Sequence, residues 1–412
     1  MTAQASLPLD PLETRDPEER ELSQFECLAA QLSTAVKTTP ALAEQLGAAE
    51  PTEIDDRAAL AALPVLSKSD LAARQRADPP FGGLAARPAQ EFEHVFQSPG
   101  PIYEPGMSSV PDWWRCARAL RAAGITRDDV VHNSFSYHLT PAGVMLESGA
   151  RALGCVVFAG GVGNSEAQAS AAADLGATAY MGTPDFLKIL IEKAEELGRA
   201  LAFTKAWVSG GPLFPSLREY YEDRGIATLQ GYATADLGSI AYETAARDGM
   251  VVDEGVILEI VRPGTGDPVA PGEVGEVVVT LLNADYPLLR FATGDLSAIL
   301  PGVSGCGRTG MRIKGWMGRA DQTAKVKGMF VRPEQIAEIL RRHPEVTKAR
   351  LTITRAAEQD AMTLAVETEA AVAEAMQATL QSVLKLKGTV EIAAPGSLPN
   401  DGKVIDDARS YD

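Results

Sequence analysis

The sequence predicts a large N-terminal α/β domain with layered β-sheets and flanking helices, residues 1–318, followed by a small α+β domain, residues 319–412. Three observations carry this. The chain has 412 residues, 45% of them hydrophobic, which is enough for more than one core. Between about 92 and 210, short apolar runs alternate with helical patterns across Gly-rich joints, the rhythm of a largely parallel sheet. From about 320 the text changes to a strand, a helix, two alternating strands and a last helix, a small unit with its boundary at "GRADQ".

Taken in order, residues 17–46 have apolar positions at helical spacing, with Leu22, Phe25, Leu28 and Leu32 predicted on one face. "LPVLSKSDL" reads as a turn with Ser67 or Ser69 capping a short helix. "FEHVF" is a strand, and "DWWRCARALRAAG" a helix ended by Gly124. "DVVHNSF", "CVVFAGG", "ATAYMGT" and "KAWVSGG" are strands. The helices "TPAGVMLESGARALG", "SEAQASAAADLG" and "PDFLKILIEKAEELG" lie between them. After about 250 the chain is β-rich, with a turn-dense hairpin region at "PGTGDPVAPGEVG". In the small domain, "KVKGMFV", "KARLTITRA" and "AMTLAVET" are strands. "PEQIAEILRRH", begun by Pro333, and "EAAVAEAMQATLQSVLKL" are helices.

Composition excludes several classes. A formal net charge of −17 argues against nucleic acid as a partner. The four cysteines, Cys27, Cys116, Cys155 and Cys306, are scattered and form no CxxC pair, which argues against a disulfide framework and a zinc knuckle. The N-terminus lacks the basic-then-apolar pattern of a signal peptide, and the longest apolar runs are too short to span a bilayer. The expectation is a cytoplasmic protein without membrane partners.

Three segments carry chemistry. In "YPLLRFATGDL", Asp295 stands at a strand end before a turn, where a carboxylate can accept both hydroxyls of a ribose. "RIKGWMGRADQTAKVKGMFV" brings Arg312 and Arg319 to a Gly-Arg-X-Asp pivot. "SLPNDGKVIDDAR" carries Lys403 in an acidic, turn-prone tail. Each has an ordinary structural explanation alone. Their order is what points to function.

Together these segments resemble the phenylacetate–coenzyme A ligase family of the adenylate-forming superfamily. The likeness covers the whole chain, through "LDPLETRDPEE", "LPVLSKSDL", "PFGGLAARPAQEFEHV", "SYHLTPAGVMLESGARALGCVVFAGG", "GTPDFLKILIEKAEELG", "PLLRFATGDL", "GRADQTAKVKGMFVRPEQI" and "GSLPNDGKVIDDAR". It implies an adenylate-forming large domain and a mobile small one. It also implies a two-step reaction using ATP, Mg²⁺ and coenzyme A on a small-molecule carboxylate of aryl or arylacetic type. An acyl-adenylate forms first and is then attacked by the thiol. By position, Lys403 serves the first step and Asp236 holds the metal. Tyr232 stacks on adenine, Asp295 holds the ribose, and Arg319 approaches ribose and phosphate. Ser98, Gly100, Gly210 and Gly211 complete the nucleotide site. Asp321 is the hinge of the small domain and Gly328 lines the thiol's approach. Phe135, Tyr137, His138, Ala142 and Gly143 are candidates for the acyl pocket. The family also admits a homodimer.

The chain departs from the family at "SPGPIYEP", Ser98–Pro105, which occupies the place of a "SSGTTGKP" phosphate loop. Pro99 and Pro101 have no N–H to offer a phosphate. Glu104 replaces a lysine. Such a reversal a few ångströms from phosphate turns an attraction of about 4 kcal/mol into a similar repulsion, at an effective dielectric of about 20. Asp236 in "YATAD" is one methylene shorter than the family's glutamate, "SGGP" lacks an acidic residue, and no zinc-binding segment follows Gly238. Three activities therefore remain open: an acid–coenzyme A ligase that handles pyrophosphate differently, an enzyme of this fold acting on a preformed acyl-adenylate or acyl-CoA, and a non-catalytic relative.

Overall fold

The computed structural model describes residues 7–320, 322, 324–326, 329–356, 359–399, 401 and 403–409. Contacts divide the chain into two units. The first comprises Met1–Leu258, Val279–Thr293 and Leu300–Trp316, and the second Glu259–Val278, Gly294–Ile299 and Met317–Asp412.

Among the described residues, the largest sheet has nine strands. Its order is Ile299–Leu300, Arg312–Ile313, Met250–Val252, Gly238–Glu243, Ala227–Thr234, Lys205–Val208, Ala179–Gly182, Val130–Asn133 and Val156–Ala159. The five strands from Ala227–Thr234 to Val156–Ala159 pair in parallel, as the alternating text predicts. Helices Ala142–Ala152, Ser165–Asp174, Pro184–Glu196 and Pro215–Glu222 make the crossovers between them. The apolar faces of strands and crossovers meet in a core that includes Leu120, Val131, Leu146, Met181, Trp207 and Leu229, each at most 1% exposed. Every such side chain contributes about 1.5–3 kcal/mol by leaving water.

Two sequence expectations are corrected here. The helix predicted across "DWWRCARALRAAG" forms only at Ala117–Ala122. Asp112 and Arg115 have φ of 52° and 62°, which no helix accommodates. Asp112 instead accepts the main-chain N–H groups of Cys116 at 2.7 Å and Ala117 at 3.0 Å. The N-terminal helix Pro17–Ala35 buries Phe25, Leu28, Leu32 and Ala35, whereas Leu22 is 65% exposed. A separate helix, Pro40–Leu46, follows it.

In the second unit, a four-stranded sheet runs Thr389–Ala393, Gln359–Glu367, Lys348–Ala356, Ile405–Asp407, with the central pair antiparallel. Helices Pro333–Arg341 and Ala373–Leu384 supply Ile336, Ile339, Met376 and Leu380 to its core.

Candidate active site

The segment that replaces the phosphate loop is a β-hairpin. Strands His94–Ser98 and Ile102–Gly106 pair antiparallel, with Ser98 opposite Ile102 and Phe96 opposite Glu104. Pro99, Gly100 and Pro101 form the exposed turn, so only Gly100 among them carries an N–H. Strand alternation puts Ile102, Glu104 and Gly106 on one face. That face is buried, and Glu104 is 1% exposed. The charge reversal seen in the sequence therefore points into the protein, not outward from the loop.

Glu104 meets a compact polar cluster. The Ser98 hydroxyl donates to its Oε1. Lys68 Nζ donates to Asp236 Oδ2 at 3.0 Å, and the Asp236 side chain is fully buried. Burial and the neighbouring Asp236 charge push the Glu104 carboxyl up to about 8, against the easing effects of Ser98 and Lys68. Oε2 of Glu104 and Oδ1 of Asp236 are buried and accept no hydrogen bond.

Lys68 was not among the sequence candidates, although the text held a sign of it. It opens the helix Lys68–Ala77, where Ser67 and Asp70 form a reciprocal capping box. A cation in a first turn opposes the helix dipole. Its compensation lies 168 positions away at Asp236, beyond any local pattern. One face of the same helix carries Gln75, whose amide bonds both main-chain groups of Tyr103 at 2.7 Å and fixes the hairpin.

The raised Glu104 carboxyl gives a pH prediction. Between about 4.5, its ordinary value, and about 8, the folded chain keeps a proton that the unfolded chain has lost. Stability should therefore fall as pH rises through that window, by at most about 1.4 kcal/mol per pH unit. In metal-free buffer, urea unfolding at pH 5.5 and 8.5 should show wild type losing stability relative to Glu104→Gln.

An apolar cavity of about 110 Å³ lies in the same unit, lined by Phe135, Ala142, Met145, Leu146, Trp207 and Gly210 among others. It also reaches Ala233–Ala235, the residues immediately before Asp236. Phe135 and Trp207 meet edge to face at 6.3 Å. Of the acyl-pocket candidates, Phe135 and Ala142 line this cavity, as does Gly210 from the nucleotide candidates. Tyr137 packs on Gly143 and is tied at its hydroxyl, accepting from Asn133 and donating to Glu147, both at 2.8 Å. His138 is exposed, its main-chain N–H bonded to Ser136 Oγ at 3.0 Å. Tyr232 is 8% exposed on Ala227–Thr234 beside a register shift, and Gly210 turns at φ 76° just after the strand Lys205–Val208. Gly211 follows Gly210, and a Cβ there would meet Pro184 Cδ at an ordinary 3.7 Å. Arg290 is buried and structural, donating to Ala61 O at 2.8 Å and to Leu63 O.

The second unit holds the remaining candidates. Arg319 Nη1 contacts Asp295 Oδ1 at 2.8 Å, with Asp295 only 8% exposed. Gly294, inside the strand Phe291–Ser297, has φ 74°, a conformation that favours glycine, and a Cβ there would meet the Arg319 guanidinium at 2.7 Å. Glu276, absent from the sequence candidates, is pushed up to about 7 chiefly by burial, with Glu334 and Asp295 adding and the Gly294 amide and Arg319 opposing. Lys403 Nζ contacts Asp406 Oδ1 at 2.8 Å and its side chain is half exposed. It lines a cavity of about 330 Å³ with Arg262, Glu273, Lys348 and Glu367. Asp321 and Gly328 lie outside the described residues.

Comparison with known proteins agrees with this architecture. Residues 328–408 match the family model for the AMP-binding enzyme C-terminal domain. Phenylacetate-coenzyme A ligase of Pseudomonas putida is 30% identical over 347 residues, 80% of this chain and 77% of that one. The Escherichia coli (strain K12) enzyme of the same name is 28% identical, covering 96% of each chain. A crystal structure of 2-hydroxyisobutyryl-CoA ligase in the postadenylation state superposes with a TM-score of 0.72 at 24% identity, covering 96% of this chain and 91% of that one. The fold is thus that of the adenylate-forming enzymes. The chain belongs to the phenylacetate–coenzyme A ligase family. Among the described residues, no helix is long and apolar enough to cross a membrane.

Proposed function

We propose that this protein is an AMP-forming acid–coenzyme A ligase acting on an aryl or arylacetic carboxylate. One observation carries the reading. The apolar cavity ends on Ala233–Ala235, directly before the Asp236–Lys68 pair. An acid whose apolar body fills that cavity sets its carboxylate beside the charged cluster.

In the first step the carboxylate oxygen attacks the α-phosphorus of ATP. The P–O bond to pyrophosphate breaks, and acyl-adenylate and pyrophosphate result. Lys403 stabilises the charge developing on phosphate oxygens, Asp295 orients the ribose, Arg319 approaches the ribose and phosphate, and Tyr232 stacks on adenine. Ser98, Gly100, Gly210 and Gly211 border the nucleotide. Asp236 suits Mg²⁺, because its Oδ1 is buried without a partner and hard cations take carboxylate oxygen. Mg²⁺ bound there would offset phosphate charge. In the second step the small domain turns at Asp321, and the coenzyme A thiol, passing Gly328, attacks the acyl carbon and releases AMP. The acidic chain, at −17, is read as a cytoplasmic enzyme without nucleic-acid partners. The homodimer remains part of this proposal through the family alone.

The reading is tested by acid- and coenzyme A-dependent formation of AMP from ATP across a panel of aryl and arylacetic acids. AMP formation with one of them supports it. Turnover of preformed acyl-adenylate with no ATP use would favour the second reading, which the N–H-poor Pro99–Pro101 turn also suits. Filling the cavity should act on the acid alone. Ala142→Phe is expected to raise the KM for the acid by about tenfold or more, while calorimetric ATP binding stays unchanged.

A further inference from the structure

The hairpin that stands in the place of the phosphate loop is held on both outer edges. Gln97 and Tyr103 face each other across its two strands, and their main-chain groups bond outward. The Gln97 N–H donates to Leu139 O at 2.8 Å. Tyr103 is held from the other side by a single side chain, Gln75. Nε2 of Gln75 donates to Tyr103 O and its Oε1 accepts the Tyr103 N–H, both at 2.7 Å. Gln75 is only 3% exposed. A lone two-stranded hairpin is marginal in water, so such a clasp decides how firmly its turn is aimed. We infer that Gln75 is a positioning residue for the β- and γ-phosphates of ATP, acting through the hairpin and not by touching the nucleotide. The inference rests on the ligase reading, in which Ser98 and Gly100 border the nucleotide.

Two features make the clasp matter. The turn is poor in donors. Among Pro99, Gly100 and Pro101 only Gly100 has an N–H, and the Ser98 hydroxyl is already given to Glu104. A loop with many donors can shift and still grip an anion. A loop with so few must have them aimed before the ligand arrives. The second feature is the helix that carries the clasp. Lys68–Ala77 buries Leu71, Ala72 and Gln75. Its first residue, Lys68, contacts Asp236 at 3.0 Å. Two turns further, about 10 Å along the helix, Gln75 grips Tyr103. One rigid element thus sets the spacing between the Asp236 side chain and the hairpin. Gln75 lies between "LPVLSKSDL" and "PFGGLAARPAQEFEHV", outside the segments that carry the family likeness.

The test compares calorimetric binding of ATP and of AMP, with Mg²⁺ and no acid, in wild type and in Gln75→Met, whose side chain is of similar length and makes neither bond. AMP lacks the two phosphates assigned to the turn. ATP binding should weaken by about tenfold or more, and AMP binding should stay unchanged. Hydrogen exchange at the Tyr103 amide should quicken in the variant. Circular dichroism checks that the variant is folded. If Gln75→Met does not fold, Gln75→Asn replaces it, its amide one methylene short, and the same selective loss is expected. Unchanged ATP binding beside a quickened Tyr103 amide overturns the inference, because the clasp then serves the fold alone. Equal weakening of both nucleotides, or a wild type that binds no ATP, overturns it too. Selective loss of ATP in a protein that forms AMP with no acid of the panel leaves the inference standing and overturns the ligase reading. Acid-dependent AMP formation at the same ATP KM in both proteins does the reverse.

Discussion

Replacing Lys403 with alanine is expected to slow acyl-adenylate formation by about 10²–10³-fold, the usual cost of losing one group that stabilises transition-state charge. The effect should be confined to that step. Lys403 is half exposed and its contact with Asp406 is an ordinary surface pair, so folding stability should change by less than about 1 kcal/mol. Thioester formation from a supplied acyl-adenylate should continue at near the wild-type rate, because the small domain has turned by then. Rapid-quench measurement of each half-reaction separates the two. A variant equally slow in both would mean that Lys403 supports the fold of its domain and not the first step.

Asp295→Ala is expected to weaken ATP and AMP binding by about a hundredfold, through the loss of charge-assisted hydrogen bonds to a vicinal diol. The buried Asp295 is held by Arg319 and by the close fit of Gly294 beneath that arginine. It is thus fixed before the nucleotide arrives, and little ordering is left to be done on binding. A particular signature follows. Wild type should prefer ATP to its 2′-deoxy analogue, and Asp295→Ala should bind both alike. Calorimetry with the two nucleotides reads this directly. A retained preference would take the ribose away from Asp295.

The parallel sheet was legible because the strands from Val130–Asn133 to Lys205–Val208 are short, mainly apolar runs, with Gly160, Gly182 and Gly210 at or just after the ends of three of them, and the crossovers show helical spacing. The turn across Trp113 and Trp114, where the sequence predicts helix, was not legible. Its apolar residues have helical spacing, but the chain turns at Asp112 and Arg115 through positive φ, a choice set by the Asp112 cap and by packing of Trp114. The candidate site divides in the same way. Asp295 and Arg319 were legible as residue types, but Asp295 lies within the strand Phe291–Ser297, bridged to Arg319, and not at the strand end expected from the sequence. The inward face of Glu104 follows from period-two alternation in "IYEPG", once that segment is read as a strand. Lys68 was hidden, because its meaning is a contact with Asp236 across 168 positions and no local rule predicts a partner so distant. Glu276 was hidden for a similar reason. Its raised carboxyl depends on burial and on Glu334, neither of which a strand pattern displays.

The central claim is that this chain activates a carboxylate with ATP despite a rewritten phosphate loop. Acid-dependent exchange of labelled pyrophosphate into ATP tests it most directly, since exchange needs the first half-reaction and its reversal but not coenzyme A. With a matching aryl or arylacetic acid and Mg²⁺, exchange is expected in wild type and should fall about 10²–10³-fold in Lys403→Ala. No exchange across the acid panel, in protein that binds AMP or coenzyme A but not ATP, would contradict it.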